Sequence, residues 1–202
     1  MTRRMIDSAD LRRGDALLDI GCGRGESLAL LRAEYGFICR GIEPDAANFA
    51  AARQNAAGCD IRQAAAEHIP FGDGAFRCAL AECSFSLFRD PLMALTEISR
   101  VLTADGILLL SDVYAKKGDG CRGEGLLRQV YPMATICQML EDAGFVVEAT
   151  EDAGDMLKSM LGQLILDHGR EEAYRRVGLD RCAAAIAGVG YFYLRGRKGR
   201  KV

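Results

Sequence analysis

Leu17-Leu18-Asp19-Ile20-Gly21-Cys22-Gly23-Arg24-Gly25-Glu26 is the stretch that decides how this chain is read. Ala16 to Ile20 is a short apolar run with the length and bulk of a strand buried on both faces. Three glycines at alternate positions follow it, and Glu26-Ser27-Leu28-Ala29-Leu30-Leu31-Arg32 can continue as a helix. Strand, glycine turn and helix make the first half of a nucleotide-binding βαβ unit, in which glycine permits a tight turn and close approach of a ligand. A dinucleotide fingerprint, G-x-G-x-x-G, would need a third glycine at position 26, where the chain has Glu26. The pattern here is G-x-G-x-G with Asp19 inside the strand. It invites no pyrophosphate, and its carboxylates at both ends suit a ligand that carries positive charge.

Working outward, residues 3 to 13 read as a short helix ending at Gly14, and the glycine-loop helix runs from Arg24 to about Tyr35, where Gly36 stops it. Phe37 to Glu43 is a second strand, and Asp45 can cap a helix over Ala46 to Ala56. Cys59 to Ala64 and Ala75 to Glu82 are the third and fourth strands, the latter leaving through the loop Cys83-Ser84-Phe85-Ser86-Leu87-Phe88. Asp90-Pro91 starts a helix marked by Leu92, Leu95, Ile98 and Leu102, and Ile107 to Val113 is the fifth strand. The glycine-rich stretch 116–125 breaks the pattern. A helix from Pro132 to Gly144, a sixth strand over Phe145 to Thr150 and a seventh over Tyr191 to Leu194 follow. Alternating strands and helices argue for a doubly wound α/β sheet in one domain, 1–202.

Leu18-Asp19-Ile20-Gly21-Cys22-Gly23-Arg24-Gly25 resembles the first motif of class I S-adenosylmethionine (SAM)-dependent methyltransferases. Gly41-Ile42-Glu43-Pro44 resembles the acid-terminated second strand of that family, and Ala66-Glu67-His68-Ile69-Pro70-Phe71 with Phe76 resembles its adenine-lining stretch. Glu97 to Gly106 is similar to the helix and turn before its fifth strand, so the resemblance covers about residues 11 to 147 in order. It implies a Rossmann-like sheet of seven strands, six parallel and the last antiparallel, with SAM as cofactor and a small soluble molecule as methyl acceptor. The resemblance gives Asp19 the methionine ammonium, gives Gly21, Cys22, Gly23 and Gly25 the loop, and gives Glu43 and Pro44 the ribose end. It puts Ala66 and Glu67 at the adenine and Glu82 at the cofactor's edge of the fourth strand. Ala65 stands where the family often has an adenine-binding acid, so Glu67 either accepts from the adenine amino group or is a surface acid.

The connection from the sixth to the seventh strand, residues 152 to 188, is long and carries helical patterns such as Leu157, Leu161 and Leu164. It leaves the carboxyl end of a parallel strand, the side on which open α/β sheets bind ligands, so it reads as a lid, with padding of the sheet edge as the alternative.

Half of the 202 residues are hydrophobic and the net charge is −2, which gives no global attraction to nucleic acid or an anionic membrane. No apolar run approaches the ~18 residues of a membrane span, and the first residues have no apolar core of signal-peptide length, so a cytoplasmic location is expected. The eight cysteines include no C-x-x-C pair, so neither a metal centre nor a thioredoxin-type dithiol is expected. Cys39, Cys59, Cys78 and Cys137 read as small buried hydrophobes, and Cys22 as a structural part of the loop. Ala81-Glu82-Cys83-Ser84 and Asp112-Val113-Tyr114 are locally similar to arsenite methyltransferases. Cys83 and Cys121, with Cys182 a third candidate, would then hold a soft, thiophilic acceptor as thiolates. His68 qualifies as a base by type, and His168 reads as the packed end of the Leu157-Leu161-Leu164 stripe. Tyr114 and Tyr131 either line the pocket or pack in the core, and Arg195 to Lys201 reads as a solvated basic tail. A methyltransferase acting on RNA or protein and a non-catalytic SAM sensor are the competing classes, and the oligomeric state stays open.

Overall fold

The computed structural model describes residues 1–120, 128–177 and 188–199. Seven strands form one sheet in the order β3-β2-β1-β4-β5-β7-β6. They are β1 (Ala16–Ile20), β2 (Ile38–Ile42), β3 (Asp60–Arg62), β4 (Phe76–Glu82), β5 (Leu102–Ala115), β6 (Phe145–Asp152) and β7 (Val189–Lys198). The β1–β2, β2–β3, β1–β4 and β4–β5 pairs are parallel, while β7 runs antiparallel to both β5 and β6. Because side chains alternate across a sheet, each strand supplies two cores. Leu18, Ile20, Ala79, Leu108, Leu110, Phe192 and Leu194 face one side, and Leu17, Cys78, Leu80, Ile107, Leu109 and Tyr193 the other.

The first face is covered by α4 (Pro91–Val101) and α5 (Met133–Asp142), which bury Leu95, Ile98, Ile136 and Leu140 on it. The second is covered by α1 (Thr2–Asp7), α2 (Glu26–Leu30) and α3 (Ala46–Asn55). Caps are placed as the sequence suggests: Asp45 accepts from the Asn48 N–H and Asp90 from the Met93 N–H, with Pro91 in the first turn. After α2 the chain widens into a π-type turn over Leu31–Tyr35 and stops at Gly36, whose φ of +69° favours glycine. Arg100 on α4 pins the β3–β4 connection. It donates to the Ile69 and Phe71 carbonyls and pairs with Glu97 and Asp73, while Glu97 accepts from the Ile69 N–H.

Several expectations are corrected. The first helix ends at Asp7 rather than Gly14, and at its cap the Ser8 hydroxyl turns back onto the Met5 carbonyl. β5 begins at Leu102, five residues early. A register shift between Phe76 and Cys78 on β4, with Asp105 at φ +59°, lets the chain join the sheet before the apolar run starts. The basic stretch is no solvated tail as far as Lys198. β7 extends through it, with Arg195 and Arg197 paired to Glu148 on β6 and the Lys198 ammonium on the Leu102 carbonyl. His168 is exposed in the last turn of α6 (Gly154–His168), past the packed leucines. A second helix, α7 (Arg170–Val177), follows α6 before β7.

β7 is the late arrival that closes the sheet, and Phe192 lies fully buried at its centre against Tyr114. Phe192→Ala should cost about 3–5 kcal/mol of unfolding free energy, read from urea denaturation. A loss below about 1 kcal/mol would mean that β7 does not hold this part of the core together.

Candidate cofactor and acceptor site

Strand register gathers three acids at one end of the sheet. Leu17 lies opposite Cys78 and Asp19 opposite Leu80, so Glu82, two residues further along β4, shares the face of Asp19. Asp19 is also opposite Gly41, so Glu43, two residues beyond it, emerges on that same face. All three stand at the carboxyl ends of parallel strands, where open α/β sheets bind ligands.

The glycine loop is held there by its surroundings. Glu43, 6% exposed, accepts from the Gly23 N–H through Oε2 and from the Asp45 N–H through Oε1, both at 2.9 Å. A Cβ on Gly21 would sit 2.7 Å from the Ser84 Cβ, and one on Gly25 would sit 3.0 Å from the Ala52 Cα. Both residues also have positive φ, so glycine is required twice over. The Ser84 hydroxyl donates to the Ile20 carbonyl at 2.7 Å and locks the β4 exit to the end of β1.

Above the loop opens a cavity of about 240 Å³ lined by Asp19, Gly21, Cys22, Gly23, Arg24, Glu26, Ser27 and Glu82. Asp19 is 3% exposed, and its Oδ2 has no hydrogen-bond partner. Burial first, then the charges of Glu82 and Glu43, push its carboxyl up to about 8. Glu82 accepts from the Thr2 hydroxyl at 2.6 Å. A buried carboxylate oxygen without a donor, beside a second acid, is a receptor for a cation or a hydrogen-bond donor. The residues present fit the ammonium end of SAM.

Of the expected cofactor residues, Asp19, Gly21, Cys22, Gly23 and Glu82 line this cavity, whereas Gly25, Glu43, Pro44, Ala66 and Glu67 do not. Cys22 is buried with its thiol raised by burial, and it packs against Gly41. Pro44 is exposed, and its carbonyl takes the Gln63 amide at 3.3 Å. Glu67 is no surface acid. It is buried, and its Oε1 accepts from the Arg89 and Asp90 N–H groups at 2.7 and 3.2 Å, tying the segment to the start of α4. Arg24, Ser27 and Thr2 carry no assignment in the sequence, and Glu26 only that of the acid closing the glycine motif. The signal for Glu26 was present, since it replaces the third glycine in the first turn of a helix.

At the β4 exit, Cys83 takes φ +55°, and its sulfur lies 3.0 Å from the Tyr191 hydroxyl, itself 3.1 Å from Ser111 Oγ. Burial, aided by Asp112, pushes the Cys83 thiol up to about 12, which opposes the thiolate form. Cys121 and Cys182 lie outside the described residues. Asp112 is fully engaged, accepting from the Ser86 and Val113 N–H groups, with burial raising its carboxyl to about 6. Tyr114 donates to Asp152 and packs on Phe192, and Tyr131 packs on Phe85, so both belong to the core margin. His68 is exposed. Among the described residues no three ligand-type side chains cluster around a metal position, and no helix is long and apolar enough to cross a membrane.

Residues 18–110 match the family model described as "Methyltransferase domain". The uncharacterized methyltransferase YcgJ of Bacillus subtilis is 33% identical over 116 residues, 55% of this chain and 46% of that protein. The chain thus spans about half the length of that curated relative. Among solved structures, that of the [4+2]-cyclase SpnF superposes with a TM-score of 0.84 at 23% identity, covering 99% of this chain and 81% of that one. The Haemonchus contortus phosphoethanolamine N-methyltransferase 2, solved with S-adenosylhomocysteine, gives 0.77 at 15% identity over 98% and 52% of the two chains. Over residues 18–110 the chain is thus similar to methyltransferase domains, a class whose cofactor is SAM.

Glu43→Ala removes the carboxylate that holds the loop and would receive the ribose. SAM affinity, read by calorimetry, should fall by about 1.5–3 kcal/mol, the range for charge-assisted hydrogen bonds. An unchanged affinity would take Glu43 out of the site.

Proposed function

We propose that the chain transfers the methyl group of SAM to a small-molecule acceptor. The observation that carries this reading is the cavity over the glycine loop, with the partnerless Asp19 oxygen and Glu82 in its wall at the strand ends. Asp19 and Glu82 take the methionine ammonium, Gly21, Cys22, Gly23 and Gly25 give backbone access, and Glu43 and Pro44 form the ribose end. Ala66 offers its backbone N–H to the adenine, and Glu67 positions that segment. When bound, the cofactor supplies an electrophilic methyl on a sulfonium, and the chain's residues supply alignment and exclusion of water.

The acceptor end is apolar. Leu157, Leu161 and Leu164 of α6 pack with Met1, Cys83 and Val189 on a cluster of Val113, Ala115, Val130, Ala153 and Tyr191. Such a cluster favours a lipophilic acceptor, with α6 and α7 as the lid that admits it; residues 178–187 of the expected lid lie outside the described residues. The raised Cys83 thiol supports packing rather than capture of an arsenical. A second reading is cofactor binding without methyl transfer, since one fold hosts many chemistries and the similarly folded SpnF is a [4+2]-cyclase.

Turnover of SAM to S-adenosylhomocysteine across phenols, fatty acids, amines, thiols and arsenite separates the readings. Product with a lipophilic acceptor is expected, with Cys83→Ser within a few-fold of wild type. Collapse of activity in that variant with SAM affinity intact would return the thiol to catalysis. No turnover with any acceptor, while SAM still binds, would favour the second reading. Hydrogen exchange in 152–188 should slow when cofactor and acceptor are both bound, because lids are drawn from low-stability segments. Equal exchange would leave α6 and α7 as padding.

A further inference from the structure

We infer that the empty cavity keeps a proton on Asp19 and releases it when a cationic ligand enters, so that proton and cofactor compete for the Asp19–Glu82 carboxylate pair. This rests on the cofactor reading of the cavity.

The argument starts from the register that puts Asp19, Glu43 and Glu82 on one face of the sheet. The three acids differ in what neutralises them. Each oxygen of Glu43 already accepts a backbone N–H, from Gly23 and from Asp45. Glu82 accepts the Thr2 hydroxyl, and its other oxygen lies 4.0 Å from the amino group of Met1. Asp19 is the most buried of the three, and its Oδ2 has no donor at all. Around it stand Glu82 from β4, Glu43 from the end of β2, Cys39 from β2 and Cys22 from the loop. Arg24, Glu26 and Ser27 line the same cavity, and α1 contributes Thr2. Among the described residues no basic group forms an ion pair with Asp19.

A carboxylate in that position is opposed by lost hydration and by two like charges. Both effects act in one direction and place its midpoint at about 8, so at pH 7 roughly ten empty sites carry the proton for each that does not. An ammonium arriving at Oδ2 supplies the missing donor and the missing positive charge. It stabilises the ionised form, the proton leaves to solvent, and one unit of charge is exchanged for another. The affinity of a cationic ligand should therefore rise with pH up to about 8 and level off above it.

The test is calorimetry with S-adenosylhomocysteine in buffers of different ionisation enthalpy. The ligand's own amino group titrates too, but it contributes equally to wild type and to Asp19→Asn, so the difference between them isolates Asp19. At pH 7 the wild type should release about 0.9 proton more than Asp19→Asn, and its dissociation constant should fall about tenfold between pH 6 and 7 beyond any change in the variant. Glu82→Gln removes one opposing charge and should shrink the release at pH 7, which keeps the inference testable if Asp19→Asn fails to fold. 5′-Methylthioadenosine has the nucleoside but no amino-acid end, and it should bind with no release from Asp19. Equal release by wild type and Asp19→Asn, or no change in Glu82→Gln, would overturn the proton exchange and leave the cofactor reading standing. Absence of any S-adenosylhomocysteine binding between pH 6 and 9 would instead overturn the cofactor reading itself.

Discussion

The carboxylate of Glu43 is the fixed point of this structure. By accepting from Gly23 and Asp45 it holds the glycine loop to the end of β2 and sets where α3 begins. Without it the loop would present its N–H groups to solvent and α3 would lose the anchor next to its own cap at Asp45. The close approaches of Gly21 to Ser84 and Gly25 to Ala52 depend on the same placement. A parallel sheet concentrates such opportunities at one end, because every strand delivers its last side chain to the same rim.

Concentrating acids there works against stability. Asp19 is ionised in the unfolded chain above about pH 4 but holds its proton to about pH 8 in the empty folded site. The folded state therefore binds more protons across that window, and its stability falls as pH rises through it. A group chosen for packing would be apolar at this position, as Leu17 is two residues earlier on the same face. The orphaned oxygen makes sense as a contact completed by a ligand, and the local failure of good packing marks the place where the fold serves binding.

Much of this was legible from residues. The strand ends at Ile20 and Glu82, the caps at Asp45 and Asp90, and the glycine turn all follow from local chemistry: apolar runs, side-chain acceptors and positive φ. The convergence of Asp19 and Glu82 was only half legible, since both were assigned to the cofactor but their shared face depends on register between strands sixty residues apart. The basic end of β7 was misread because Arg195, Arg197 and Lys198 look solvated until Glu148 and the Leu102 carbonyl are brought beside them. Glu67 was ambiguous for the same reason, its donors lying on Arg89 and Asp90. Charge along a chain says little about burial when the partner is supplied by topology.

The acceptor end was least legible, and the architecture explains why. The segment that matches the methyltransferase model stops at residue 110, partway along β5. The apolar cluster proposed as the acceptor end comes later apart from Met1 and Cys83: Val113 and Ala115 from the end of β5, Leu157, Leu161 and Leu164 from α6, Tyr191 from β7. Cys83 itself is defined by a partner 108 positions away, the Tyr191 hydroxyl, which lies between the Cys83 sulfur and the Ser111 hydroxyl. Cofactor recognition is thus written in short local motifs that a single sequence exposes. The proposed acceptor end is instead assembled from distant apolar residues, whose types say only that they pack, and their proximity emerges when the sheet brings them together.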